Sequence, residues 1–118
     1  MKLFLVSRQD LAPGLRAAQL CHAIRAFTEE HPAVDREWFT TSNTLVLLET
    51  ANEEELRRVV SSARAEGVPV SEFLEPDLGN ALTAIAVSPQ GRHLLRRLPL
   101  AFGSLAMASM PMAALDER

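Results

Sequence analysis

The rhythm of apolar positions changes from one segment to the next, and the changes mark out the elements. Lys2 to Ser7 (Lys-Leu-Phe-Leu-Val-Ser) is a short apolar run without a helical period, which predicts a strand buried on both faces. Asp10, Pro13 and Gly14 mark a turn. From Leu15 to Glu30 the apolar residues Leu20, Ile24 and Phe27 recur at i, i+4 and i+7, the period of a helix laid on a sheet. Pro32 stops that helix, because the residue before a proline avoids helical geometry. An irregular link carrying Trp38 and Phe39 then leads to a second apolar run, Asn43 to Glu49, expected to be a central strand.

Downstream the pattern repeats in kind. Asn52 is a good N-cap, Glu53, Glu54 and Glu55 suit the positive end of a helix dipole, and Leu56, Val59, Val60 and Ala63 form the buried stripe. Gly67 ends the helix. Val68 to Leu74 and Leu82 to Val87 are two further strand candidates, separated by Glu75-Pro76-Asp77-Leu78-Gly79-Asn80, a run of turn formers. Gln90 to Arg97 reads as a short helix. The order β-α-β-α-β-β-α predicts an α/β fold with helices on both faces of a sheet.

Composition narrows the class without changing the pattern. At 118 residues, with 47% hydrophobic and 23% charged residues, the chain suits a single globular domain, placed at 1–98. A formal net charge of -3 leaves no global field for a polyanion, so nucleic-acid binding would need a local patch. The single cysteine, Cys21, and the lack of a leader-like start fit a cytoplasmic protein. Leu98 to Leu115 carries no formal charge, but Pro99, Gly103 and Pro111 break it. It is expected to be no membrane segment, and 99–118 is expected to form an apolar arm packed on the domain or on a second subunit of a homodimer.

Candidate chemistry gathers on the first helix. Leu15, Gln19 and His22 share one stripe, with Arg16 beside it. His22 can act as a general base near neutrality, although a lone helical histidine is more often a satisfied boundary residue. Asp77, in the loop after the third strand, could orient His22 or a water, or could simply close an Asx turn. His31 is expected to face solvent, and Cys21 to be a small buried hydrophobe. With His93 these show no metal-ligand spacing, so no metal or other cofactor is expected. No glycine-rich phosphate loop is present. Arg92-His93-Leu94-Leu95-Arg96-Arg97 is a concentrated basic patch that could touch phosphate or be a solvated face.

Arg8-Gln9-Asp10-Leu11 followed by Ala17-Ala18-Gln19-Leu20-Cys21-His22-Ala23 resembles the opening of a type-two peptidyl-tRNA hydrolase. Trp38, Glu53-Glu54-Glu55-Leu56, Gly67-Val68-Pro69, and Asp77 with Gly79 continue the likeness over roughly Met1 to Pro89. The resemblance implies a three-layer α/β/α fold with a mixed, roughly four-stranded sheet. It also implies metal-independent hydrolysis of the ester joining a peptide to tRNA, with His22, Asp77 and Gln19 as catalytic residues. Arg16, Gly79 and Asn80 are the expected substrate-binding residues. Aligning the strings places Leu15 where the family carries a lysine, and Arg16, the nearest cation, projects about 100° further around the helix. The loop after Gly79 is also shorter than the family's. Two readings follow: a hydrolase acting on peptidyl-tRNA, and a weak or inactive relative that binds a partner through the groove or the arm.

Overall fold

The computed structural model describes residues 1–102. The arm expected over 99–118 lies outside the described residues from 103 onward.

Seven regular elements build the molecule: β1 (Lys2–Arg8), α1 (Pro13–Glu30), α2 (Pro32–Thr41), β2 (Thr44–Thr50), α3 (Glu53–Ala65), β3 (Val70–Glu75) and β4 (Ala81–Val87). Two short 3-10 turns, Pro76–Leu78 and Pro89–Leu94, follow β3 and β4. The strands form one mixed sheet in the order β2-β1-β4-β3, with β1 parallel to β2 and β4 antiparallel to both its neighbours. Helices cover both faces, as the order of elements predicts. Leu3 and Leu5 of β1 pack with Leu20, Ala23 and Phe27 of α1 and Trp38 of α2. Phe4 and Val6 point the other way, into the cluster with Leu56, Val59, Val60 and Ala63 of α3. Because both faces are buried, β1 reads as a continuous apolar run rather than an alternation.

Several local expectations change. The link with Trp38 is helix α2, since Pro32 both terminates α1 and occupies the first turn of the next helix, where its missing N–H costs nothing. Trp38 is buried and its indole donates to Thr44 O at 2.8 Å, fixing the approach to β2. Pro13 likewise opens α1 rather than preceding it. Its core-facing residues are Leu20, Ala23 and Phe27, with Ile24 only half-buried, so the buried stripe is turned toward Gln19. Strand β2 lies at an end of the sheet, not at its centre. Its apolar character is explained by residues 99–101, which pair along its outer edge: Pro99 O accepts from Glu49 N at 3.1 Å and Ala101 N donates to Leu47 O at 2.8 Å. Residues 90–97 form part of a 3-10 turn and its exit rather than a helix. His31 is half-buried and bonded to Val70 O through Nε2 at 3.1 Å instead of facing solvent, and Cys21 is exposed.

One irregularity positions the site. Phe73 pairs with Ala84 and Leu74 with Leu82, so Thr83 is the extra residue of a β-bulge in β4. Without it, strict alternation would turn Thr83 toward α3. With it, Leu82 and Ile85 face α3, whereas Ala84 joins the α1 cluster and the Thr83 hydroxyl reaches α1.

Candidate active site

The carboxyl ends of β1, β2 and β3 and the start of β4 lie at one end of the sheet, beside the first half of α1. Polar side chains collect there. Gln19 is 1% exposed, and both ends of its amide are used: Nε2 donates to Glu75 Oε1 at 3.0 Å, and Oε1 accepts from Thr83 Oγ1 at 2.7 Å. A buried amide needs such partners, because an unpaired one costs about as much as a lost hydrogen bond. Glu75 Oε2 accepts from the backbone N–H of Asp77 at 3.3 Å, so the same carboxylate caps the turn that follows β3.

One turn further along α1, His22 is exposed and stacks on Phe73, with ring centroids 4.5 Å apart and planes inclined by 21°. Among the described residues neither of its ring nitrogens has a hydrogen-bond partner, so both are open to water. The contacts form an antiparallel pairing of helix and strand: Gln19 and His22, three residues apart on α1, meet Glu75 and Phe73, two apart on β3. Side chains two apart on a strand share a face, which is why Ser71, Phe73 and Glu75 look toward α1 while Glu72 pairs with Arg64 of α3.

The remaining predicted site residues fall around this cluster. Asp77 is exposed in the 3-10 turn, and among the described residues no hydrogen bond or ion pair joins it to His22. Gly79 and Asn80 take φ of 64° and 60°, left-handed values that suit Gly and Asn, and Asn80 N closes the hairpin on Glu75 O at 2.9 Å. Arg16 leans to the opposite side of α1. Its guanidinium donates to Glu49 Oε2 at 2.7 Å, lies 5.3 Å from the ring centre of Phe102, and is 13% exposed. Leu15, between the two flanks, is half-buried.

Glu75 is the residue that sequence reasoning missed. Its neighbours Pro76 to Asn80 make it read as part of a loop, yet extending the two-residue alternation of Ser71 and Phe73 places it on the face toward α1.

The end of β1 braces this region from the α3 side. Arg8 holds Asp10 through two bonds, Nε to Oδ1 at 2.9 Å and Nη2 to Oδ2 at 2.8 Å, and also donates to Leu82 O at 3.0 Å. That pairing raises the Arg8 pKa and holds the Asp10 carboxyl below its usual range. Glu53 accepts from Leu82 N at 2.9 Å and pairs with Arg57, so its carboxyl too is held low, the backbone bond being the larger cause. Among the described residues no three His, Cys, Asp or Glu side chains gather in a way that could hold a metal ion.

Comparison with known proteins identifies the family. Residues 1–102 match the family model of peptidyl-tRNA hydrolase PTH2. A peptidyl-tRNA hydrolase of Methanocaldococcus jannaschii is 34% identical over 103 residues, covering 76% of this chain and 87% of that protein.

Proposed function

The chain belongs to the peptidyl-tRNA hydrolase PTH2 family, and from that premise we propose that the cluster between α1 and β3 is where it cleaves the ester joining a peptide to the terminal ribose of tRNA. Its function is peptidyl-tRNA hydrolase-like. The observation that carries the residue assignment is the double contact of α1 with β3, Gln19 on Glu75 and His22 on Phe73. It leaves the imidazole open to water on the wall of a strand end whose last residue, Glu75, is held by Gln19, a common place for sites in α/β folds.

In this reading His22 takes a proton from water as the oxygen attacks the ester carbonyl, then returns it to the ribose oxygen as the carbon–oxygen bond breaks. Phe73 fixes the plane of the imidazole. Gln19, enclosed and doubly bonded, positions the ester indirectly by holding Glu75 and with it the strand end that carries Phe73. Asp77, Gly79 and Asn80, on the exposed turn beyond β3, form the rim that receives the ribose. Arg16, its charge balanced by Glu49, is the wall on the β2 side. No step in this scheme calls for a metal or another cofactor.

A cytoplasmic location and pairing of two copies through the 99–118 arm belong to the same reading. The location follows from where translation occurs, and no helix among the described residues is long and apolar enough to cross a membrane. Sizing the intact chain against one ending at Phe102 tests the pairing.

The deciding experiment gives the purified protein an N-blocked aminoacyl-tRNA and compares it with His22→Ala. The expected result is release of the blocked amino acid by the wild type and a loss of roughly a hundred-fold or more in the variant. Equal rates, or no release above background by either protein, overturn the assignment.

A further inference from the structure

In the regular elements, arginines are mostly spent on internal pairs; Arg36 of α2, exposed and without a carboxylate partner among the described residues, is the exception. Arg8 of β1, Arg16 and Arg25 of α1, and Arg57, Arg58 and Arg64 of α3 all pair with carboxylates. The segment after β4 departs from this rule. Arg92, Arg96 and Arg97 are exposed and, among the described residues, none of the three has a carboxylate partner. Three uncompensated cations within six residues are conspicuous in a chain whose formal charge is -3.

The segment that carries them is also pinned. Gly91 is buried where a Cβ would lie 2.5 Å from Val87 Cγ1 and 3.0 Å from Val68 Cγ1, so the turn sits hard against β4 and the link that leads into β3. His93 Nε2 lies 2.6 Å from Glu66 Oε1, at the C-terminal end of α3. Leu95 and Leu98 are buried in the α3-side core, and Pro99 is bonded to β2. The three arginines are therefore carried on a fixed ridge of backbone. It begins at the end of the sheet away from Glu75, roughly 20 Å off by the rise of β3, and leads to the outer edge of β2.

We infer that this ridge of Arg92, Arg96 and Arg97 is a phosphate-binding surface that grips the tRNA backbone while its 3′ end reaches the α1–β3 cluster. The inference rests on the reading of that cluster as a peptidyl-tRNA site, and it adds the surface that holds the nucleic acid. The reacting ester of such a substrate is at the tip of a short single strand, so its duplex phosphates must rest at a distance from the chemistry. A ridge beginning a strand's length away meets that requirement. Exposed, unpaired arginines suit phosphate because the planar guanidinium forks onto two oxygens and gives up no internal partner to do so. Such contacts position the duplex without reading its sequence.

The test measures binding of deacylated tRNA to the full chain by fluorescence anisotropy over a range of salt, which needs no catalysis. The variant Arg92→Gln/Arg96→Gln/Arg97→Gln should bind roughly ten-fold or more weakly, and the slope of log affinity against log salt should fall by about 2 to 3. Each single substitution should lower the slope by about 1, so the inference stays testable if the triple variant fails to fold. Arg25→Gln/Arg58→Gln, which removes two exposed but internally paired cations, should bind within about two-fold of wild type. Absence of salt-dependent tRNA binding by the wild type overturns the inference. So does equal binding by the triple variant, which would leave the ridge to another partner such as an acidic protein, or an equal loss in the Arg25/Arg58 control. Failure of hydrolysis with ridge-dependent tRNA binding intact would count against the catalytic reading alone.

Discussion

Gln19 Nε2 donates to Glu75 Oε1 at 3.0 Å, joining two residues 56 positions apart in the chain. The bond ties the middle of α1 to the last residue of β3, and Thr83 completes it from β4 through the bulge. Three elements thus converge on one buried amide, and the open face of the cluster carries His22. On the proposed reading the arrangement separates two jobs: buried groups hold the geometry, and the exposed imidazole meets the substrate.

That division predicts different kinetic signatures for the two acidic residues. Glu75→Gln keeps the shape of the side chain but weakens the carboxylate acceptor that holds Gln19 and the Asp77 N–H, loosening the corner that sets His22 on Phe73, so kcat should fall roughly ten-fold or more with little change in KM. Asp77→Asn, on the exposed rim, should raise KM and leave kcat within about two-fold. Steady-state kinetics on an N-blocked aminoacyl-tRNA distinguish them. The reverse pattern would make Asp77 the carboxylate that serves His22.

The buried amide also makes a stability prediction. Thr83→Val removes the donor to Gln19 Oε1 and leaves that oxygen buried and unpaired, at a cost of about 1–3 kcal/mol in urea unfolding. Thr83→Ser keeps the hydroxyl and should recover most of the loss. If Val and Ser variants unfold at the same midpoint, the hydrogen bond is not what stabilises this corner.

Much of this was legible in the sequence because local pattern and tertiary role agree. The apolar runs of β1 and β4, the Asn52 cap with its three glutamates, and the helical stripe of α3 need only neighbours a few residues away to be recognised. The misread elements depended on distant partners. Trp38 sits in a helix whose start, Pro32, doubles as the stop of the previous one, and β2 looks central because residues 99–101 pair with its outer edge. Gln19 and His22 stood out through their spacing on one helix. Glu75 did not, since its importance comes from a register with α1 and from a bulge at Thr83 that no periodicity announces.

Acid should weaken the fold. The Asp10 and Glu53 carboxyls are held below their ordinary values of 3.8 and 4.5. The unfolded chain therefore binds protons more tightly at these sites. Their contribution is fully present above the ordinary values and is lost as pH falls from there through the lowered ones. Denaturant midpoints should stay flat on this account from neutrality to about pH 5 and decline below it. Asp10→Asn should lower the midpoint near neutrality and make the acid decline shallower. Because Asp10 is 43% exposed, both changes should shrink in high salt, and an unaltered acid limb would count against the Arg8 pair as its source.

Arg16 and Glu49 offer the sharpest separation of structure from substrate contact. Their side chains are 13% and 7% exposed, and Glu49 also accepts from Gln9 Nε2 and from the backbone of Phe102, both at 3.3 Å. Removing one partner strands a charge in a nearly dry pocket, so Arg16→Met and Glu49→Leu should each destabilise by about 3 kcal/mol. Removing both replaces an ion pair by apolar volume, and the double variant should recover most of that loss, giving a large coupling in a double-mutant cycle. If Arg16 is a wall, the refolded double variant should hydrolyse peptidyl-tRNA with KM and kcat within about three-fold of wild type. A KM raised ten-fold or more, in a double variant as stable as wild type, would instead make Arg16 a direct substrate ligand whose pair with Glu49 opens on binding.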